Sequence, residues 1–268
     1  MSHTARSCLA FSFFTKLLLN LYAYPLFFLL SKRYNIIILL VSVIISLYFQ
    51  KAGAAMYFQY GETEINYLKR KDKKLAWAIE QIGHIERKLD ANLFAAVVRH
   101  IVGQQISSKA QATVWARLEA RLKVVTPFTV HAASAEELQG LGMSLRKAEY
   151  IKDFADRIVG GEFDLQAVEH MNDAEAITAL SSLKGIGKWT AEMILLFCLQ
   201  RPDILSYDDL AIQRGLRMLY HHRKITRELF AKYQKRYSPY GSTAAIYLWE
   251  IAGGAIEGMK DYAPAKKR

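Results

Sequence analysis

Two groups of residues in this chain carry chemistry. The first is the run Leu183-Lys184-Gly185-Ile186-Gly187-Lys188-Trp189-Thr190-Ala191, and the second is the acidic pair Asp208-Asp209 about twenty residues further on. Gly185 and Gly187 leave the backbone N–H groups of a tight turn uncovered, so a phosphate can approach them closely at the start of a helix. Such a turn holds a nucleic-acid backbone without reading its sequence, and Lys184 and Lys188 add positive charge beside it. The two aspartates stand where a new helix begins. A carboxylate in a first turn ordinarily caps orphan N–H groups and meets the positive end of the helix dipole. For either Asp alone that structural reading is the default.

The elements around these residues read as helices. From Asp72 onward the apolar residues recur at helical rather than alternating spacing, and five prolines are too few to punctuate many strands. The fold class is therefore all-α. Leu75, Ile79 and Ile82 mark one helix; Leu93, Val97, Val98, Ile101 and Val102 mark another running towards Gly103-Gln104-Gln105. Ser107 or Ser108 can cap a third, on which Ala110, Val114, Leu118 and Leu122 share a face. Ser144 precedes an amphipathic run, Leu145, Ala148, Ile151, Phe154, Ala155 and Ile158, that stops at Gly160-Gly161. Asn172 and Glu175 form a capping-box pattern opening the helix that leads to Leu183. After the turn Lys184 to Gly187 a helix starts near Lys188 and continues through Met193, Ile194, Phe197 and Cys198, which makes a helix-hairpin-helix.

Composition bounds the chemistry. At 268 residues and 52% hydrophobic content the chain can bury a sizeable core, and its formal net charge is +11. Residues 1–55 hold five basic and no acidic residues, so the remainder carries thirty-one basic against twenty-five acidic residues and stays moderately basic. That excess favours a polyanionic partner without proving one. Cys8 and Cys198 are too few for a disulfide framework, an iron–sulfur cluster or a four-cysteine zinc site. They fit a reducing, intracellular compartment. Cys198, on an apolar helix, reads as a buried structural thiol. No His or Cys spacing suggests a metal, and His221-His222 reads as a solvated or capping pair. Trp77 and Trp115 read as ordinary core residues.

Residues 1–55 differ from the rest. Cys8 to Leu30 is apolar but interrupted, and Ile36 to Phe49 is purer but shorter than the roughly twenty residues a membrane-crossing helix needs. Three readings compete: a two-helix membrane anchor, a targeting segment, or upstream sequence from a misassigned start with Met56 as the true first residue. The abrupt change in composition near Met56 favours the third and sets the domain at 56–268.

Taken together, the hairpin Leu183-Lys184-Gly185-Ile186-Gly187 and the downstream Asp209-Leu210-Ala211 resemble the signature of the helix-hairpin-helix (HhH-GPD) DNA glycosylase superfamily. Trp189-Thr190-Ala191, Gly103-Gln104-Gln105-Ile106-Ser107 and Tyr247-Leu248-Trp249 look most like its DNA-3-methyladenine glycosylase II branch, over roughly Leu75 to Gly254. The resemblance implies catalysis by Asp209 with Asp208 as cap or bystander, a base pocket lined by Trp189 and Trp249, and Gln105 as the residue wedged into the duplex gap. It implies phosphate binding by Gly185 and Gly187 with Lys184 or Lys188. It implies no organic cofactor, although relatives often hold a monovalent cation on hairpin carbonyls. The partner would be double-stranded DNA containing alkylated bases, met by a monomer. Strand-cleaving members carry a Schiff-base lysine two residues after the second hairpin glycine; here that place is Trp189, which implies a purely hydrolytic enzyme. Two departures stand out: Lys184 replaces the hairpin proline, and Leu205-Ser206 replaces a Phe-Pro pair. The rivals are a non-enzymatic DNA-binding module and a membrane-anchored protein with a degenerate glycosylase domain.

Overall fold

The computed structural model describes residues 57–90 and 92–264, so the extension at 1–55 lies outside the described residues. Thirteen α-helices and no strand occur among them. They are α1 (Glu62–Lys71), α2 (Lys73–Ile82), α3 (Leu93–Gly103), α4 (Ser108–Leu122), α5 (Pro127–His131), α6 (Ala135–Gly140) and α7 (Leu145–Val159). The series continues with α8 (Ala167–His170), α9 (Asp173–Ser181), α10 (Lys188–Phe197), α11 (Leu210–Tyr220), α12 (Arg227–Tyr237) and α13 (Gly241–Gly253).

Local chemistry sets most of the boundaries. Asp72 caps α2 by accepting from the N–H groups of Lys74 and Leu75, each at 3.0 Å. Ser107, not Ser108, caps α4, and Ser144 caps α7, which ends at Gly160. The Asn172–Glu175 capping box forms with both of its hydrogen bonds and starts α9. α3 and α10 are apolar almost all round, as helices covered on every side must be; from Leu93 to Val98 every residue of α3 is buried. Phe94 of α3 stacks on Phe154 of α7 at 5.0 Å between ring centroids.

The helices pack in two groups. One runs from α3 to α10. The other joins the two ends of the domain, α1 and α2 with α11, α12 and α13. The tightest crossing is that of α11 and α13: a Cβ on Gly215 would stand 2.3 Å from the carbonyl oxygen of Leu248. Only a residue without a side chain lets the two backbones approach so closely. Because Asp209 opens α11 and Trp249 lies one residue past Leu248, this contact positions both. Buried side chains of the two groups belong to one continuous apolar core.

Several expectations need correction. Asp209 is itself the N-cap of α11, whereas Asp208 is exposed, with its carboxylate 3.8 Å from Arg227. Trp77 is 46% exposed rather than core, while Trp115 is buried beneath the Arg99 guanidinium. Leu145 and Ala110, read as members of apolar faces, are both exposed because each sits in the first turn of its helix, beyond the packed surface. The reading of His221 as a capping residue holds, since it is an exposed, left-handed C-cap at φ 60°, and His222 shares a 2.7 Å hydrogen bond with the Tyr233 hydroxyl.

Candidate active site

Asp209 is the centre of the site. Its side chain is buried, and its two oxygens have different surroundings. Oδ1 accepts from the N–H groups of Ala211 and Ile212, each at 2.9 Å, and from the indole N–H of Trp249 at 3.2 Å. Oδ2 accepts one hydrogen bond, from the indole N–H of Trp189 at 3.0 Å. Capping thus fixes one oxygen and leaves the other with spare acceptor capacity. Trp189 belongs to α10 in the first helix group; Asp209 and Trp249 belong to the second. The carboxylate therefore lies at the seam between them.

The two indoles differ in setting. Trp189 is 40% exposed, in the first turn of α10. Trp249 is half-buried and stacks on Phe197 at 5.3 Å with an interplanar angle of 24°. Both rings present an aromatic surface beside the same carboxylate, so the sequence-predicted trio of Asp209, Trp189 and Trp249 comes together.

The hairpin adjoins this trio directly. Gly185 takes φ +83°, a left-handed conformation, and its α-carbon faces the Tyr150 ring so closely that a Cβ would be 2.4 Å from Tyr150 Cδ2. Gly187 is the N-cap of α10 and offers no side chain, so the first N–H groups of that helix receive no side-chain cap. Lys184 pairs with Asp153 at 2.6 Å and Lys188 lies 3.8 Å from Glu192; both ammonium-bearing side chains are more than 60% exposed.

Gln105 is exposed at φ 56°, on the turn after α3. Its neighbour Gln104 ties that turn to the hairpin by donating from Nε2 to the Gly185 carbonyl at 2.6 Å. Lys147 of α7 holds the same turn, donating to the carbonyls of Val102 at 2.9 Å and Gln104 at 2.6 Å. Burial pushes the Lys147 amine below its usual range. A cation on the hairpin carbonyls would compete with Gln104 for the Gly185 oxygen. Among the described residues no group of three or more His, Cys, Asp and Glu side chains is arranged to hold a metal ion.

Sequence reasoning missed Gln104, Lys147 and Glu192. Glu192 is a buried carboxylate on α10 that accepts from the hydroxyl of Ser206, itself wholly buried just ahead of Asp209. This bond ties the hairpin helix to the loop carrying the acid. Burial raises the Glu192 pKa, against the lowering effects of Ser206 and Lys188. The signals were faint: an acid four residues after Lys188, and a serine where a proline is usual. Cys198 is half-buried beside α10, and burial drives its thiol pKa upward, as a structural thiol requires.

A match to the family model described as HhH-GPD superfamily base excision DNA repair protein covers residues 98–239, more than half of the chain. The chain belongs to the HhH-GPD superfamily. This superfamily member is 31% identical over 164 residues to DNA-3-methyladenine glycosylase 1 of Schizosaccharomyces pombe, a match covering 59% of this chain and 72% of the relative. Among solved structures it is similar to a DNA-3-methyladenine glycosidase from Bacillus halodurans, with TM-score 0.67 and 33% identity over 74% of this chain and 93% of that one. It is also similar to the S. pombe 3-methyladenine DNA glycosylase in complex with abasic DNA, with TM-score 0.64 and 25% identity over 75% of this chain and 100% of that one. The superfamily match takes in Gln105, the hairpin, Trp189 and Asp209, and stops ten residues short of Trp249.

Proposed function

We propose that this protein is a monofunctional DNA glycosylase that hydrolyses the N-glycosidic bond of alkylated purines, of the 3-methyladenine and 7-methylguanine type, in double-stranded DNA. The observation that carries the reading is the pairing of one buried carboxylate with two indole N–H groups at a seam flanked by a glycine hairpin. The relatives named above support the class of reaction.

The residues divide the work. The hairpin N–H groups with Lys184 and Lys188 take a phosphate beside the lesion, and Gln105 fills the space left when the nucleotide turns out of the stack. Trp189 and Trp249 receive the everted base, and an electron-poor, cationic purine stacks well on such faces. As the C1′–N bond breaks, its electrons leave with the base and the sugar becomes oxocarbenium-like. Asp209 Oδ2 stabilises that charge and orients the water that adds to C1′, giving an abasic site. An alkylated base that already carries positive charge departs neutral and needs little acid assistance. Trp189 in the lyase position leaves no amine there to form a Schiff base.

On this reading the enzyme acts as an intracellular monomer without an organic cofactor. Among the described residues no helix is long and apolar enough to cross a membrane. The test is release of 3-methyladenine and 7-methylguanine from methylated duplex DNA by the purified protein and by Asp209→Asn. Asn keeps a capping oxygen but no negative charge, so release should fall by at least about a hundredfold while the melting temperature holds. DNA binding without release by the unsubstituted protein would favour the non-enzymatic module instead.

A further inference from the structure

Gln105, the residue assigned to the duplex gap, stands on a turn that its own backbone holds weakly. The Gln104 N–H reaches the Ile101 carbonyl at 3.3 Å and the Ile106 N–H reaches that of Gly103 at 3.5 Å, both long for such bonds. Gln105 itself takes a left-handed φ of 56°, which residues with a side chain disfavour. Side chains supply the missing support. Lys147 of α7 donates from one ammonium to the carbonyls of Val102 at 2.9 Å and Gln104 at 2.6 Å, on either side of the last residue of α3. A helix end leaves such carbonyls without an intrahelical partner, at the negative end of its dipole, so a cation is the donor they hold most firmly. Gln104 in turn donates to the Gly185 carbonyl at 2.6 Å. Further along α7 the Tyr150 ring lies against Gly185, and Asp153 pairs with Lys184. One helix therefore braces both the turn of Gln105 and the hairpin.

The brace matters because a wedge works against base pairing and stacking. A side chain that fills the gap left by an everted nucleotide opposes the return of the base only as far as its backbone refuses to yield. Lys147 is half-buried, and burial lowers its pKa, so the ammonium is kept at the turn against a desolvation cost. We propose that Lys147 is a positioning residue for nucleotide eversion. By fixing the Val102 and Gln104 carbonyls it stiffens the Gln105 turn against the hairpin, so that a phosphate on the hairpin and a side chain in the gap act in fixed register. The proposal rests on the glycosylase reading above and names the residue through which its wedge becomes rigid. Because Lys147 acts through Gln105, its effect scales with the work of eversion and fades where the lesion is already unpaired.

The experiment compares the full-length protein with Lys147→Met, Lys147→Gln and Lys147→Arg in single-turnover release of 7-methylguanine placed opposite cytosine or opposite an abasic-site analogue. Met keeps the apolar stem and removes the donor. Gln keeps a donor without the charge, which guards against failure of Met to fold, and Arg keeps a charged donor. Opposite cytosine, Met and Gln should slow release by roughly tenfold, as loss of a hydrogen bond from a charged group does, and Arg should recover most of the rate. Opposite the abasic analogue the change should stay below about twofold, because little unpairing is left to drive. Equal slowing on both duplexes, or none on the paired one, reduces Lys147 to a helix cap and overturns the proposal. A 2-aminopurine next to the 7-methylguanine reads eversion without bond cleavage, since its fluorescence rises as its neighbour leaves the stack. That rise should be smaller for Met and Gln than for the unsubstituted protein, and equal rises overturn the role of Lys147. Fluorescence that rises in the unsubstituted protein with no release of base overturns the glycosylase reading and leaves the comparison of variants to decide on Lys147.

Discussion

Among the described residues the indole N–H of Trp189 is the single hydrogen-bond donor to Asp209 Oδ2, at 3.0 Å, whereas three donors converge on Oδ1. The oxygen left for chemistry is therefore aimed by a side chain that is itself partly exposed. Trp189→Phe keeps an aromatic face and removes that donor. Single-turnover excision should slow by roughly ten- to a hundredfold, the worth of one hydrogen bond to a charged group. Melting should move by only a few degrees, because Trp189 is not a core residue.

Gly185 carries two independent demands, a left-handed φ of +83° and a Tyr150 ring against its α-carbon. Gly185→Ala adds strain of about 1–2 kcal/mol from the backbone alone, before any displacement of Tyr150. Chemical denaturation should show a loss of at least that size. Affinity for undamaged duplex DNA should weaken as well, because the hairpin N–H groups shift with the turn.

The bond from Ser206 to Glu192 predicts a contrast between two variants. Glu192→Ala leaves a buried hydroxyl without its acceptor and should cost about 1–3 kcal/mol. Glu192→Gln supplies a carbonyl in its place and removes a buried charge. Because burial raises the Glu192 pKa, its contribution to stability is full at pH values below the ordinary carboxylate pKa and is lost as pH rises through the raised value. Melting curves at pH 5 and pH 8 should thus fall less with pH for Glu192→Gln than for the unsubstituted protein. An equal fall would assign the pH dependence elsewhere.

His100 gives the opposite pH dependence. Burial and the neighbouring Arg99 push its pKa down to about 4. A base whose folded pKa is lowered contributes stability above its ordinary pKa of 6.5 and loses it as pH falls towards 4. Up to about 3 kcal/mol of acid sensitivity follows. Urea denaturation of His100→Gln between pH 7 and pH 4 should show a shallower decline, and identical slopes would remove His100 from the account.

What the sequence made legible is what short-range chemistry determines. The Asn172–Glu175 box, the Ser144 cap, a cap at Ser107 or Ser108 and the start of α10 near Lys188 all follow from residues within one helical turn of each other. The trio of Asp209, Trp189 and Trp249 was found through the resemblance, and no periodicity would have assembled it. Long-range contacts stayed hidden. Nothing near Gly215 announces that its α-carbon meets Leu248. The choice between Asp208 and Asp209 as cap hung on a single residue of helix register, which pattern alone does not fix. Trp77 misled because a large apolar side chain at helical spacing is core only when another element covers it.

The crossing at Gly215 leaves the two helices little freedom to part. With backbone meeting backbone at that point, no side chain stands between α11 and α13 to change rotamer and open a gap. Asp209 and Trp249, already joined by a 3.2 Å hydrogen bond, act together as the fixed jaw of a caliper. A purine bearing a bulky substituent gains no room by parting these helices unless the contact between Gly215 and Leu248 is surrendered. Breadth of substrate range would then have to come from the opposite jaw, where Trp189 stands on a different helix group and is free to yield.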